Sequence, residues 1–534
     1  MLPIGSLAKP SVVFILTDDQ SRSAAGIYGN TVVQTPNIDQ LGREGMVFDF
    51  AFTSTGMCVP SRSTLYTGLH PMRHGAHENQ SAASPNILSV TDYLRPLGYK
   101  VGLIGKLHVS PASVFPWDFM EELLDTGLTK SKVKQAIQSF GASPSVLFVC
   151  IHSPHTPWVT TLPYLPGTVG LPPYLYHNSE TRKAMSNYFG SVTEADSISG
   201  VVIQALKELG TYDSTLVFIA SDNGSSFPQG KWDIYDESVH MPFMARWPGH
   251  VAAGVRSNAL LQFTDVLPTF IELAGGAQVD SLDGRSFLPV LLGTRTTHNT
   301  YAFGTSTSTG SNGVSNYPIR MIRSQRYQYI LNLEPTWSWT SPVTLGTDQP
   351  AAGDFAYWQS WLTAAQTDTA AARIVQKVQR RPVEEFYDVQ ADPFEMYNRI
   401  GLTATDTTLC RVRKEHRAQL RNWVVNIQHD TLVTSAFWNS LPSDVCSVVR
   451  LRPAGPVPSG MRLEGNRLRV TRQNKSPLVL EIFNVHGRKL NVIHPVWLNH
   501  EAEFRFEGLQ ASGLVILKLK QDGKVVGTFN LGLF

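Results

Sequence analysis

The chain has 534 residues, 42% of them hydrophobic and 16% charged, with a net charge of +2. That length supports a large buried core and two or three domains. The balanced charge gives no global electrostatic basis for binding nucleic acid or an anionic membrane, and no apolar run approaches the ~20 residues that span a bilayer.

Met1 to Pro10 carry neither the basic segment nor the long apolar core of a signal peptide. A strand-like run follows almost at once, so a leader is expected to have been removed. That run, VVFIL at 12–16, is short and rich in β-branched residues. It predicts a buried strand of a parallel sheet with Asp18 and Asp19 at its carboxyl end. The segment Cys58-Val59-Pro60-Ser61-Arg62 comes next, followed by Thr67-Gly68. The run at 101–105 leads to Lys106 and His108, that at 146–151 to His152-Ser153-Pro154-His155, and that at 215–220 to Asp222-Asn223-Gly224. In open α/β sheets, sites lie outside the carboxyl ends of the strands. One Asp-Asp pair alone reads more readily as a helix cap or a solvated turn, but four strand ends bearing such residues do not. Asp18, Asp19, Asp222 and the amide oxygen of Asn223 make an all-oxygen set suited to Ca²⁺ or Mg²⁺. Zinc would call for more His or Cys.

Apolar strands and helical stretches, such as 191–209, alternate to about residue 310, as α/β layers do. A Trp-rich insertion (Trp337, Trp339, Trp358, Trp361) reads mainly as core packing or an interface, with stacking on sugar faces as the alternative. Pro453 to Pro458 read as a Pro/Gly linker. The short runs at 463–468, 478–485 and 513–519, with turn signals between them, predict a small all-β sandwich. A disulfide framework is not required by four cysteines. Cys410 and Cys446 are the pair that fits a possible disulfide.

The run from Cys58 to Gly68, C-x-P-S-R-x-x-x-x-T-G, resembles the signature of the type I sulfatases. In that family the cysteine is converted before folding to formylglycine by a dedicated maturase. The aldehyde hydrate attacks sulfur with one hydroxyl and expels sulfate with the other, which a serine cannot do, so this is a special form of covalent catalysis. The alternative is a buried, inert cysteine beside a Pro-Ser turn. The resemblance extends residue by residue. It implies one Ca²⁺ held by Asp18, Asp19, Asp222, Asn223 and an oxygen of the converted Cys58. Arg62, Lys106, His108 and His155 would face the sulfate as cationic or donor groups. Lys231 falls where the family has a further basic residue, although a solvated loop lysine is nearly as good a reading. His155 or Lys231 would protonate the leaving group, and His108 would take a proton from the second hydroxyl. His152 is either a further substrate-side residue or a structural histidine.

The resemblance covers roughly residues 10–440. It implies an α/β, alkaline-phosphatase-like fold: a large mixed, mostly parallel sheet between helices (10–310, closed by the turn at 282–286) and a smaller α+β subdomain (315–440, marked by Glu385-Phe386-Tyr387-Asp388 and Asp392-Pro393). The appended sandwich at 455–534 resembles bacterial C-terminal sorting modules, with a carbohydrate-binding or spacer domain as the alternative. Within the family, Gly105 to Val109, Phe115 to Phe119, His152 to His155, Asn316 to Arg320 and Tyr329 to Leu333 look most like sulfamidase, the N-sulfoglucosamine sulfohydrolase of heparan sulfate breakdown. Lys231 in place of an arginine, and the loop after His155, depart from that pattern. The resemblance therefore points first to exo-acting N-desulfation of glucosamine and second to O-desulfation of another sulfated saccharide. Phosphonate monoester or phosphodiester hydrolysis is the reading from another enzyme class, and glycan binding without catalysis is the reading if Cys58 is never converted. A periplasmic, secreted or cell-surface location is expected.

Overall fold

A computed structural model of the chain describes residues 9–160, 164–307, 314, 316–345, 356–404, 406–442, 446 and, further on, 451–453, 461–464, 467–471, 478–484, 489–493, 495–498, 501–505, 513–522 and 524–533. The four apolar runs form β1 (Val12–Thr17), β3 (Lys100–Gly105), β5 (Ser145–Cys150) and β6 (Leu216–Ser221). They lie side by side, all parallel, in the order β3-β5-β1-β6. β4 (Phe119–Glu122) extends the sheet in parallel beyond β3. Beyond β6 come β7 (Phe243–Arg246), β2 (Met46–Phe52) and β8 (Val255–Gln262), with β7 antiparallel to both of its neighbours. The eight-stranded sheet is thus mixed and mostly parallel, as expected.

Both faces of this sheet are covered. Phe14 of β1 packs on Phe148 and Phe218, with ring centroids 5.7 and 5.5 Å apart. Val13 and Ile15 belong to the opposite core, which includes Ala195, Val202, Ile203 and Leu206 of the helix Ser179–Glu208. A strand buried on both faces has no solvated position, so it reads as an unbroken apolar run and its charged residues are pushed to the ends. The register then aligns those ends. Gly105, Cys150, Leu16 and Ala220 form one row across the four strands, so the four loops that follow start at a common level.

The helix predicted over 191–209 begins twelve residues earlier, at Ser179. Asn178 caps it by accepting from the Thr181 N–H at 2.9 Å, and its polar first turns hide the apolar period. A second, antiparallel sheet has the order β12-β11-β10-β9, from β9 (Ala302–Ser306), β10 (Ile319–Arg323), β11 (Tyr327–Asn332) and β12 (Glu384–Asp388). Trp339, Trp358 and Trp361 are buried in the core that includes Ile319, Met321 and Ile330 of this sheet, while Trp337 is exposed. Three of the four tryptophans therefore pack the core.

Among the described residues, those up to Tyr397 with Gln419–Asn439 make one compact unit, and Asn398–Ala418 with those from Ser440 onward make a second. The second unit contains the Cys410–Cys446 disulfide and two antiparallel sheets. One has the order β13-β21-β20-β16-β17, from β13 (Leu451–Pro453), β16 (Leu478–Asn484), β17 (Lys489–Ile493), β20 (Gly513–Gln521) and β21 (Lys524–Leu533). The other has the order β14-β15-β19-β18, from β14 (Met461–Glu464), β15 (Arg467–Thr471), β18 (Val496–Leu498) and β19 (Glu501–Arg505). Leu480, Ile482, Leu517 and Leu519 are buried in the first of these, and Leu468, Ala502 and Phe504 in the second. Pro453 is the last residue of β13, and the rest of the expected linker lies outside the described residues. No helix among the described residues is long and apolar enough to cross a membrane.

Candidate active site

The aligned strand ends bring together most of the residues singled out from the sequence. Asp18 and Asp19 follow β1, Asp222 and Asn223 follow β6, and all four are fully buried. Cys58 opens the helix Cys58–Thr67, every residue of which is buried and which Gly68 terminates in a left-handed conformation, φ 67°. The helix is pinned beneath β6: the Ser61 hydroxyl donates to the Asp222 carbonyl at 2.6 Å, and the Val59 N–H donates to Asn79 Oδ1 at 3.1 Å. Cys58 Sγ then lies 3.3 Å from Asp18 Oδ1 and 3.8 Å from Asp19 Oδ1. One ligand atom from each of Asp18, Asp19, Cys58 and Asp222 can be chosen so that all lie within 4.8 Å of one another.

Three carboxylates this close repel strongly, and each has a cationic partner. Arg62 Nε donates to Asp222 Oδ2 at 2.8 Å, Lys106 Nζ donates to Asp18 Oδ2, and Lys231 Nζ donates to Asp19 Oδ2 at 2.7 Å. Lys231 is only 1% exposed, which excludes the solvated-loop reading. His155 Nε2 sits 3.9 Å from Asp19 Oδ2 while its Nδ1 pairs with the Thr156 carbonyl at 2.6 Å. That contact places the proton of a neutral ring on Nδ1. His152 is elsewhere: it is part-exposed, with Nδ1 3.6 Å from Asp125 Oδ1 and its backbone N–H donated to the same carboxylate at 2.7 Å.

Burial sets the protonation states. Burial, then the Asp18 charge, push the Cys58 thiol well above its ordinary range. As a cysteine it therefore stays protonated and is a poor nucleophile. Burial, then Lys106 and Arg62, bring His108 down to about 2, and burial with Lys231 lowers His155, so both rings are neutral at pH 7. Burial and Asp18 raise Asp222 to about 7. Burial acts in the same sense on Asp18, but Lys106 and Arg62 outweigh it and hold its carboxyl well below the usual range.

The donor set fits a hard cation. It is all oxygen apart from the position of Cys58, its carboxylates are crowded and buried, and Asn223 Oδ1 is buried without a hydrogen-bond partner. A divalent ion would relieve the repulsion that now lifts Asp222. Several further residues lacked any local sequence signal. They include Asn79, Ser226, whose hydroxyl donates to Asp19 Oδ2 at 2.8 Å, and Tyr188, whose hydroxyl donates to the Asp19 carbonyl at 3.2 Å. Each is far from its partner in sequence, and only the fold joins them.

Comparison with known proteins agrees with this arrangement. The Sulfatase family model matches residues 10–119 and 113–277, and a model for the N-sulphoglucosamine sulphohydrolase C-terminal region matches residues 229–339. An ulvan-active sulfatase of Formosa agariphila is 33% identical over 401 residues, 73% of this chain and 76% of that protein. Human N-sulphoglucosamine sulphohydrolase is 26% identical over 465 residues, 78% and 90% of the two chains. Among solved structures, a protein in complex with its substrate D-glucosamine-2-N,6-O-disulfate superposes with a TM-score of 0.61 at 19% identity, covering 80% of this chain and all of that one. The phosphonate monoester hydrolase of Agrobacterium radiobacter gives 0.57 at 20% identity, over 78% and 96%. The two structural likenesses show the alkaline-phosphatase-like fold, whereas the sequence matches go further, and they make this chain a member of the sulfatase family.

Proposed function

We propose that this sulfatase removes the N-sulfate from a terminal glucosamine of heparin or heparan sulfate, acting from the chain end. The observation that carries the reading is the buried cluster of Cys58 with Asp18, Asp19 and Asp222, ringed by Arg62, Lys106 and Lys231. The choice of N-sulfate is supported by the match of residues 229–339 to the sulphoglucosamine sulphohydrolase model and by the relation to the human enzyme along 90% of its length.

Formylglycine at position 58, installed by a maturase, would supply an oxygen nucleophile that can be regenerated. Asp18, Asp19, Asp222, Asn223 and position 58 would hold Ca²⁺, which would supply positive charge to the site. The chain's own residues do the rest. Arg62 and Lys106 orient the sulfate and offset the charge that builds on its oxygens. Lys231, an ammonium beside Asp19, donates the proton that lets the amine leave. His155, with its proton committed to the Thr156 carbonyl, presents Nε2 as an acceptor and orients the leaving N–H. His108, held neutral, would accept the proton that position 58 must lose when sulfate is released. His152, turned to Asp125, is left with a structural role.

O-desulfation is the second reading, supported by the 33% identity to the ulvan-active sulfatase. Phosphonate monoester or phosphodiester hydrolysis has less support: such enzymes usually add further metal-liganding His and Asp residues, whereas every group of possible metal ligands among the described residues centres on Asp18 and Cys58. We also propose the three-part division 10–310, 315–440 and 455–534, and an oxidising location, periplasmic or secreted, in keeping with the Cys410–Cys446 disulfide.

The deciding assay measures free sulfate released by matured enzyme from glucosamine N-sulfate, glucosamine 6-O-sulfate and galactosamine O-sulfate saccharides. Preference for an O-sulfated member overturns the N-sulfate assignment. In parallel, Cys58→Ala should remove turnover and Cys58→Ser should leave it very slow. A Cys58→Ala protein that still turns over would refute the nucleophile.

A further inference from the structure

We propose that Trp232 is a positioning residue that holds the Lys231 ammonium in its working place, an inference that rests on the reading of Lys231 as a group that contacts the substrate. Lys231 Nζ lies 5.0 Å from the centroid of the Trp232 ring while donating to Asp19 Oδ2 at 2.7 Å. Both side chains are nearly sealed from solvent, at 1% and 3% exposure. A desolvated ammonium over an indole face is the strong form of the cation–π contact, and Trp is the best ring for it.

Side chains of consecutive residues point to opposite faces in an extended chain, so this contact needs an unusual backbone. Trp232 has φ 66°, a region rare for a bulky residue. The conformation is held from several sides. The Trp232 N–H donates to the Gly56 carbonyl at 2.8 Å. A Cβ on Gly56 would lie 1.9 Å from Ser238 Oγ and 2.6 Å from the Asp233 carbonyl oxygen, so only glycine admits this close approach. The next residue, Asp233, is gripped by Arg381 through two hydrogen bonds of 2.8 and 2.7 Å. Strain that is over-determined by its surroundings marks a placement that the fold maintains. Gly56 is two residues ahead of Cys58, so the peptide that seats the indole also sets the start of the Cys58–Thr67 helix.

The need for a second hold on the lysine follows from Asp19. That carboxylate also accepts from Asn223 Nδ2 at 2.7 Å and from Ser226 Oγ at 2.8 Å, and it belongs to the set that fits Ca²⁺. A carboxylate whose charge is shared with a divalent ion attracts an ammonium less. The indole face attracts the ammonium through its quadrupole and takes no ligand from the ion. It therefore keeps Lys231 aimed at the substrate when Asp19 is engaged elsewhere.

The test uses matured full-length protein carrying Trp232→Leu, Trp232→Phe, Lys231→Ala, or Lys231→Ala with Trp232→Leu. Each is checked for a wild-type near-ultraviolet circular dichroism spectrum, with Trp232→Met in place of Leu if Leu does not fold. Two quantities are read: kcat/KM on the best sulfated saccharide, and the affinity for inorganic sulfate by calorimetry. Trp232→Leu should lower both on the order of tenfold and Trp232→Phe by about threefold or less. In the Lys231→Ala background, Trp232→Leu should change neither. An undiminished Trp232→Leu effect in that background, or Trp232→Phe as damaging as Leu, overturns the proposal. Lys231→Ala without effect overturns instead the substrate-contacting role of Lys231 on which it rests.

Discussion

Asp222 is the residue at which the charge balance of the site can be measured. Without a cation its carboxyl is raised to about 7 by burial and by Asp18, so the folded chain binds a proton there that the unfolded chain has released. The stability this supplies is complete below the ordinary carboxylate range and is lost as pH rises through about 7. Asp18, held low, works in the opposite sense, and its contribution disappears only on acidification below the ordinary range. The buried histidines, His108 and His155 among them, act the other way over the same range, because the folded chain keeps them neutral while the unfolded chain protonates them. The Asp222 contribution is therefore read as a difference: in chelator, the melting temperature of Asp222→Asn should gain on that of wild type as pH rises from about 5 to about 7.5. Saturating Ca²⁺ should abolish that gain by stabilising the ionised carboxylate. Paired thermal melts across this range decide the matter, and a gap between the two proteins that does not change with pH in chelator would show that Asp222 is ionised throughout. The same crowding makes the ligand set chemically demanding: Asp222→Ala in the loaded enzyme should lower kcat on the order of 10²–10³-fold.

The catalytic strands depend on how they end. Gly105 closes β3 with φ 93°, and a Cβ there would sit 2.0 Å from the Cys150 carbonyl oxygen. Lys106, the next residue, donates its backbone N–H to that same carbonyl at 2.9 Å and its ammonium to Asp18. Gly105→Ala should thus be destabilising by roughly 2–4 kcal/mol, with turnover lost beyond the fraction unfolded. Urea titration beside a sulfate-release assay tests this, and an alanine variant equal to wild type in both would mean that the β3–β5 contact is not close. The strands themselves were legible in the sequence, because a strand covered on both faces is an apolar run whose ionisable residues collect at its ends. Asp18, Lys106, His155 and Asp222 could be found this way without knowing the register, and the register then brings them together. The long helix was only half legible, since Ser179 to Lys183 carry no apolar stripe. Asn79, Ser226, Trp232 and Arg381 were not legible as site residues, because their partners lie far along the chain or depend on a left-handed φ. His152 directly follows the apolar run at 146–151, three residues before His155, and its position left a substrate-side and a structural role open, but its side chain turns to Asp125. Sequence spacing gives no side-chain direction in an irregular loop.

For the whole molecule the open matter is what the second unit contributes. Its disulfide joins residues 36 apart, and closing such a loop is worth roughly 3–4 kcal/mol in the chain-entropy account. Cys410→Ser with Cys446→Ser should therefore lower the denaturant midpoint of that unit while leaving sulfate release per folded molecule unchanged. A stronger test is removal. Every residue assigned to the chemistry lies between Asp18 and Lys231, within the first unit. The described strands of 451–533 pair only with one another, in two sheets of their own. The cut belongs before Leu451, because β13 pairs with Leu531 to Leu533 of β21 and would otherwise be left as a bare edge. A chain ending after Ser447 keeps the disulfide and should retain kcat/KM on a small sulfated saccharide within about twofold. Export or binding to polymeric substrate is where the loss should appear if 455–534 is a sorting or accessory module. A folded, truncated protein with turnover on the small substrate reduced tenfold or more would show that the tail helps build the active site, and the division at 455 would then be wrong.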